Sequence, residues 1–307
     1  MAALRYFFSL LMVPISLITA GFSLIAYMAG QTNPNESIFI TFIGLAMPVI
    51  LTINLLILIY WIIKKKWWII IPIAAILLNS SYLASIFQVT ISSSKLPDGK
   101  IPIRIASYNA GKFKSWEHFE TQYYISEFLK NDKANIICFQ EYRENTKINA
   151  DTLSRLLNCP HHAIAYLPGS TTLGTGIFSK YPILQFGKIP LASQTNDAMW
   201  VDIQTGETRI RIISCHLQTT NFSKKRRLLD DPVLQNADIQ QVEDVVTDIS
   251  QELAQNFKIR ATQAQIVRQV IDTTRIPTIV CGDFNDTPSS YTCLLYTSPS
   301  PRDGATS

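Results

Sequence analysis

Three long stretches at the front of the chain, Tyr6–Asn35, Ser37–Ile63 and Trp67–Ser94, contain no Asp, Glu, Lys or Arg. Each is longer than the ~20 apolar residues a helix needs to cross a bilayer, and Pro14, Pro48 and Pro72 are compatible with membrane helices. The pattern predicts three transmembrane helices in an anchor over residues 1–91. A cleaved signal peptide would account for the first stretch alone, and its apolar run exceeds the ~7–15 residues of a signal-peptide core. A polar segment follows over residues 92–100, where Ser, Pro and Gly mark a linker.

Behind the linker the periodicity shortens. Ile101–Tyr108 alternates apolar and polar residues as a strand does, and Ala134–Phe139 is a wholly apolar run that reads as a strand buried on both faces. Ala163–Leu167, Gly176–Ser179, Met199–Ile203 and Arg209–Cys215 read as further strands, with Gly206 turning the last pair. Helical spacing covers Trp116–Lys130 and Leu153–Leu157. From Phe222 to Arg275 the pattern is helical and polar, broken at Pro232, and Leu253–Ile271 leads into the apolar run Thr278–Cys281. Strands, helices and hairpins in this order predict a mixed α/β (α+β) domain over residues 101–292, a β-sandwich flanked by helices.

Composition sharpens the division. The chain is 47% hydrophobic with a mean hydropathy of +0.14, and the excess lies in the first three stretches. Lys64-Lys65-Lys66 fills the second short connection, whereas Gln31–Glu36 holds no Lys or Arg, so the triple lysine and the N-terminus belong in the cytoplasm. Three crossings then put the following domain outside the cytoplasmic membrane. The formal charge of +4 does not signal nucleic acid, because residues 95–292 carry 22 Lys and Arg against 21 Asp and Glu. A near-neutral domain lacks the basic footprint of a non-specific DNA binder, so nucleic acid is a partner that is not favoured. Lys224-Lys225-Arg226-Arg227 is either a solvated helix start, the first expectation, or a phosphate- or headgroup-facing patch. Of five cysteines, Cys138, Cys215 and Cys281 sit in apolar strands as small core residues and Cys159 in a loop, with no disulfide framework.

Five stretches carry candidate chemistry. Arg104–Asn109, Ile136–Glu141 and Arg211–His216 are apolar strands ending on Asn109, Glu141 and His216. Gly174–Pro182 is led by glycine, with Gly176 allowing close backbone approach. Thr278–Cys281 stops at Gly282 and delivers Asp283 and Asn285 two positions apart, on one face of an extended chain, before Asp286-Thr287-Pro288 closes it as a turn. Arg260 and Gln263 share a helix face and could buttress the site, with a surface role the first expectation for both. His118, His161 and His162 belong to no such pattern and are read as surface or structural.

In this order the five stretches resemble the endonuclease/exonuclease/phosphatase superfamily, which includes DNase I-like nucleases, inositol-phosphate phosphatases and sphingomyelinases. The resemblance covers about Ile101 to Tyr291. It implies a four-layer α-β-β-α sandwich with strand ends converging on one mouth. It also implies a divalent ion, Mg²⁺ or Mn²⁺, at Asn109 and Glu141; Asp283 as the base toward the attacking water; Asn285 on a phosphoryl oxygen; and His216 on the scissile phosphate. The expected protein is a membrane-anchored phosphoester hydrolase acting outside the cytoplasm, with a lipid-linked phosphate or phospholipid as substrate. An extracytoplasmic nuclease and a non-catalytic module of the same fold are the alternatives.

Members of the superfamily continue past the Gly-Asp-Phe-Asn strand to a terminal Ser-Asp-His motif, and no His follows His216 here. Residues 293–307 change character abruptly and resemble a translated sequencing adapter. The expectation is that native sequence ends near Tyr291, that residues beyond Thr292 are irregular, and that the chain as given is inactive.

Overall fold

The computed structural model describes residues 2–87, 102–113, 121–145, 148–220 and 239–297. The linker, Trp116, His118, Phe119, the Lys224–Arg227 run, Pro232 and residues 298–307 lie outside them. The described residues divide into two compact units, one holding residues 2–87, 239–261 and 286–297, the other residues 102–220 and 262–285.

The first unit is built on apolar helices. α1 (Ala2–Met28) runs through Pro14, and the expected second span is two helices, α2 (Ile38–Leu45) and α3 (Met47–Lys64), parted at Ala46. Pro48 at the start of α3 has no N–H to continue the preceding helix, which fixes that break. α3 stops on Lys65 in the left-handed region at φ 49°. Two segments, Ser9–Met28 and Met47–Lys64, are long and apolar enough to cross a membrane. The expected third span departs from the prediction. It is a bent pair, Trp67–Leu78 with α4 (Ile70–Leu78) inside it and then α5 (Ser80–Ile86), turned by 56°. Asn79 stands at the bend and donates through Nδ2 to the Ala75 and Ser23 carbonyls (3.0 and 3.3 Å), satisfying backbone acceptors there. Polar pairs also join α1 to α3: Asn54 Nδ2 donates to Ser23 Oγ at 3.0 Å and Trp61 Nε1 to Ser16 Oγ at 2.9 Å.

The same unit contains the first part of α8 (Ile239–Thr273), a helix that starts fourteen residues before the expected Leu253, and α9 (Tyr291–Thr297). As far as Thr297, α9 corrects the expectation of irregular chain beyond Thr292: Thr292 is fully buried, and Leu294 lies against Gly30. Arg260 is also corrected. It is 2% exposed, its Nε is 3.2 Å from Asp286 Oδ2, and its guanidinium covers the Phe257 ring. Phe257 meets Phe42 edge to face at 6.0 Å.

The second unit holds two four-stranded sheets. β1 (Ile105–Asn109), β2 (Ile136–Arg143), β3 (His161–Tyr166) and β4 (Leu173–Ser179) form the first, ordered β1-β2-β4-β3. β5 (Ile183–Ile189), β6 (Asp197–Thr205), β7 (Thr208–His216) and β8 (Thr278–Asp283) form the second in sequence order. β1 with β2 and β7 with β8 are parallel; the other pairs are antiparallel. β2 shows why its run is apolar throughout. Ile137 and Phe139 face α6 (Thr121–Asn131) and α7 (Ala150–Leu157), while Ile136 and Cys138 face Met199, Val201 and Ile212 of the other sheet. α7 is capped by Asn149, whose side chain accepts from the Thr152 N–H, and ends on Asn158 at φ 55°. α6 is described from Thr121, the expected Trp116–Phe119 part lying outside the described residues, and β1 begins at Ile105. β5 is unforeseen: it is an edge strand in which buried Ile189 and half-buried Ile183 share the run with exposed Leu184 and Phe186, so no clean alternation marks it in the sequence. The close backbone approach expected at Gly176 falls at Gly174, where an added Cβ would stand 2.0 Å from the Ala165 carbonyl.

Candidate functional site

Each sheet contributes one parallel pair, and a parallel pair brings two strand ends out on the same side. Asn109 closes β1 in register with Gln140, one residue before Glu141, and His216 closes β7 in register with Asp283 of β8. The two pairs meet across the sandwich. Asn109 Nδ2 donates to Asp283 Oδ2 at 2.9 Å, and His216 Nε2 is 3.7 Å from Glu141 Oε1. The structure therefore brings Asn109, Glu141, His216 and Asp283 together from four strands.

Local backbone explains the placement. β2 is irregular between Phe139 and Tyr142, and Glu141 sits there at φ 47°. A non-glycine residue held left-handed costs ~1–3 kcal/mol and concentrates at functional sites. Gly282 has φ 140° and a Cβ there would stand 2.0 Å from the Cys215 carbonyl, so only glycine lets β8 lie against β7 at this point. Asn285 follows at φ 51°, a conformation asparagine tolerates, and its backbone N–H donates to Asp283 Oδ1. Its Nδ2 donates to the Leu217 carbonyl (2.9 Å) and Thr219 Oγ1 (3.2 Å). Thus Asn285 joins the group by holding the segment after His216, with both amide donors engaged inside the chain. Asp286 accepts from the Thr287 N–H, as a turn residue should, and also forms the Arg260 ion pair.

Other residues complete the arrangement without having been singled out in the sequence. Lys112, at φ 61° after the turn in which Asn109 Oδ1 accepts from the Gly111 N–H, places Nζ 4.0 Å from Glu141 Oε2. Gln140 is 1% exposed and donates through Nε2 to Ser107 Oγ and Ser214 Oγ, one in each sheet. Asp197, opposite His216 on β6, accepts from Thr175 Oγ1 at 2.7 Å, and its second oxygen is buried without a hydrogen bond. Burial pushes the Asp197 carboxyl above its usual range, against the lowering effects of the Thr175 hydrogen bond and His216. Thr219 Oγ1 lies 3.4 Å from His216 Nε2. The signal for Asp197 was the strand alternation that sets it opposite His216, legible once the register is known. Gln263 is buried and accepts from the Gln218 N–H at 2.8 Å, a correction to its expected surface role. His162 stacks on Phe178 as a structural residue.

The donor set is oxygen-rich and hard. Glu141 is partly exposed, with Lys112 and His216 at 3.7–4.0 Å, and Asn109 adds a carboxamide oxygen. Among the described residues no three His, Cys, Asp or Glu side chains gather as a metal cage. One carboxylate and one carboxamide fit Mg²⁺, which keeps several of its waters, and do not fit a closed zinc site.

A family model described as the endonuclease/exonuclease/phosphatase family matches residues 106–305, and one described as a domain of unknown function matches residues 7–86. No curated protein matched the chain. Among solved structures, the human Nocturnin catalytic domain with bound sulfate is 18% identical, with 65% of this chain and 69% of that one covered and a TM-score of 0.43. Truncated TDP2 from Caenorhabditis elegans is 14% identical, with 60% and 62% covered and a TM-score of 0.38. Beta toxin from Staphylococcus aureus is 17% identical, with 62% and 68% covered and a TM-score of 0.40.

Proposed function

Because the chain belongs to the endonuclease/exonuclease/phosphatase family, we propose that it is a membrane-anchored, Mg²⁺-dependent phosphoester hydrolase acting outside the cytoplasmic membrane. The observation that carries this reading is the meeting of Asn109, Glu141, His216 and Asp283 at the ends of two parallel strand pairs, one from each sheet.

Asn109 and Glu141 would hold the ion. When bound, Mg²⁺ supplies charge stabilisation at the phosphoryl oxygens. Asp283, fixed by Asn109 and by the Asn285 N–H, orients the attacking water and takes its proton. His216 offers Nε2 to a phosphoryl oxygen, and Lys112 adds an ammonium at the rim. Asn285 positions the Leu217–Thr219 segment; a direct contact from it to phosphate requires release of the Thr219 bond. Anchoring favours a substrate at the bilayer, a phospholipid or lipid-linked phosphate, over nucleic acid.

The test uses the full-length protein in detergent. Mg²⁺-stimulated release of phosphate or alcohol from phospholipid substrates, absent with single-stranded DNA, supports the reading. Activity on DNA alone selects the nuclease. Absence of both hydrolysis and Mg²⁺-dependent thermal stabilisation selects a non-catalytic module.

A further inference from the structure

An open groove of about 800 Å³ lies where α1, α3 and the connection after α3 come together. That volume is in the range of a site for a sizeable ligand. Its lining is divided. Leu10, Val13 and Pro14 give an apolar wall from α1, and Trp61, whose indole N–H is tied to Ser16, adds to it from α3. Lys64 and Lys66 supply two ammonium groups, and Trp67 and Trp68, stacked at 3.9 Å, lie beside them. Paired tryptophans and lysines at the end of an apolar helix belong at the headgroup level of a bilayer.

Charge in this part of the chain is one-sided. Residues 2–87 contain a single carboxylate, Glu36, in the α1–α2 connection, separated from the lysines by the whole of α3. Among the described residues no carboxylate pairs with Lys64, Lys65 or Lys66. A groove with an apolar wall, aromatic edges and two cations is complementary to a molecule with acyl chains and an anionic phosphate. We propose that this groove is a binding site for an acidic phospholipid of the leaflet that faces the triple lysine. The inference rests on the reading that these helices are membrane-embedded, and it concerns a site distinct from the strand-end cluster.

The charge rule that orients membrane helices treats the three lysines alike. The groove does not: Lys64 and Lys66 line it and Lys65 does not. That difference makes the test. The full chain is expressed, its membranes are washed with alkaline carbonate, and the protein is reconstituted in phosphatidylcholine vesicles with a minor share of phosphatidylglycerol. Lipid retained through detergent purification is then quantified by mass spectrometry. Wild type and Lys65→Gln should retain phosphatidylglycerol, and Lys64→Gln/Lys66→Gln should bind it about 30-fold more weakly, the effect of two lysines at an anionic headgroup. Lys64→Arg/Lys66→Arg should restore retention. Equal loss in Lys65→Gln, equal retention of phosphatidylcholine, or full competition by inorganic phosphate would overturn the proposal. Release of the chain by carbonate would sink the anchor and the proposal together. A chain that stays in the membrane and retains phosphatidylglycerol independently of Lys64 and Lys66 would sink the proposal alone.

Discussion

Glu141 combines a left-handed backbone with a side chain aimed at His216 and Lys112, so the demands of stability and function conflict at one residue. Replacing it by glycine removes the strain, which predicts a gain on the order of 1 kcal/mol in stability. The same change removes the only carboxylate proposed to hold Mg²⁺, so Glu141→Gly should abolish Mg²⁺-stimulated hydrolysis and the thermal shift Mg²⁺ induces. A variant that is more stable and still shifts with Mg²⁺ would place the ion elsewhere. Asp197 makes a second residue-scale case, since it faces His216 across the β6–β7 pair and carries a buried oxygen with no hydrogen bond. If it positions His216, Asp197→Asn should lower kcat on the order of tenfold, as loss of a partner behind a site residue does, with KM little changed. Glutamate at the same position should recover part of the loss, and a rise confined to KM would argue against positioning. Glu141 stood out along the chain as an expected metal ligand at the end of an apolar run, though its left-handed backbone did not; Asp197 belonged to no motif.

At the scale of elements, the two sheets are tied together beneath the site by Gln140, whose amide reaches Ser107 in one and the fully buried Ser214 in the other. Gln140→Leu leaves those hydroxyls without their partner and should destabilise the domain by ~1–3 kcal/mol. Hydrogen exchange that speeds up in β1 and β7 together would register this, and acceleration in one sheet only would contradict it. β6 and β7 are held further by Asp202, which accepts from Arg211 at 2.7 and 2.9 Å and also from Arg209. Burial raises the Asp202 carboxyl, but the two arginines outweigh it and hold it below the usual carboxylate range. A carboxyl whose pKa is depressed on folding contributes stability above its unfolded value of ~4, and that contribution is lost as pH falls through the lower folded value. Amide protection across β6–β7 should therefore drop in acid in the wild type. In Asp202→Asn it should already be low at neutral pH and change little on acidification. The periodicity announced β2, β6, β7 and β8, because each presents apolar residues to a neighbour on at least one face. It did not announce β5, whose apolar side chains Leu184 and Phe186 face outward.

For the whole molecule, the decisive element is the pair α4–α5. Two apolar helices, α1 and α3, are long enough to cross a membrane, and on the proposed reading they cross and return, leaving the triple lysine on the side where the chain began. If the bent pair crosses as well, the domain that follows stands outside the cytoplasm; if it dips and returns, the domain stays inside. A pair bent by 56° fits either a broken span or a re-entrant loop, and the proposed function commits to the crossing. A reporter that works only outside the cytoplasm should be active when fused after Ser94 and silent when fused after Lys66. Silence at both positions would move the catalytic domain, and its substrates, to the cytoplasm.

By itself the sequence determined the charge-free front, the alternation of short strands and helices behind it, and the five polar residues at the ends of apolar runs. These are properties of single segments, set by solvent and by the periods of helix and strand, so they can be read one window at a time. Only the tertiary structure decided that Glu141 sits left-handed within a strand, that Asp197 stands opposite His216, and that Arg260 and Gln263 are buried. The same holds for the bend of the expected third span at Asn79. Each of these depends on register and on which faces meet, the product of contacts between residues far apart in the chain. Local periodicity gives the face of each element and carries no information about its partner.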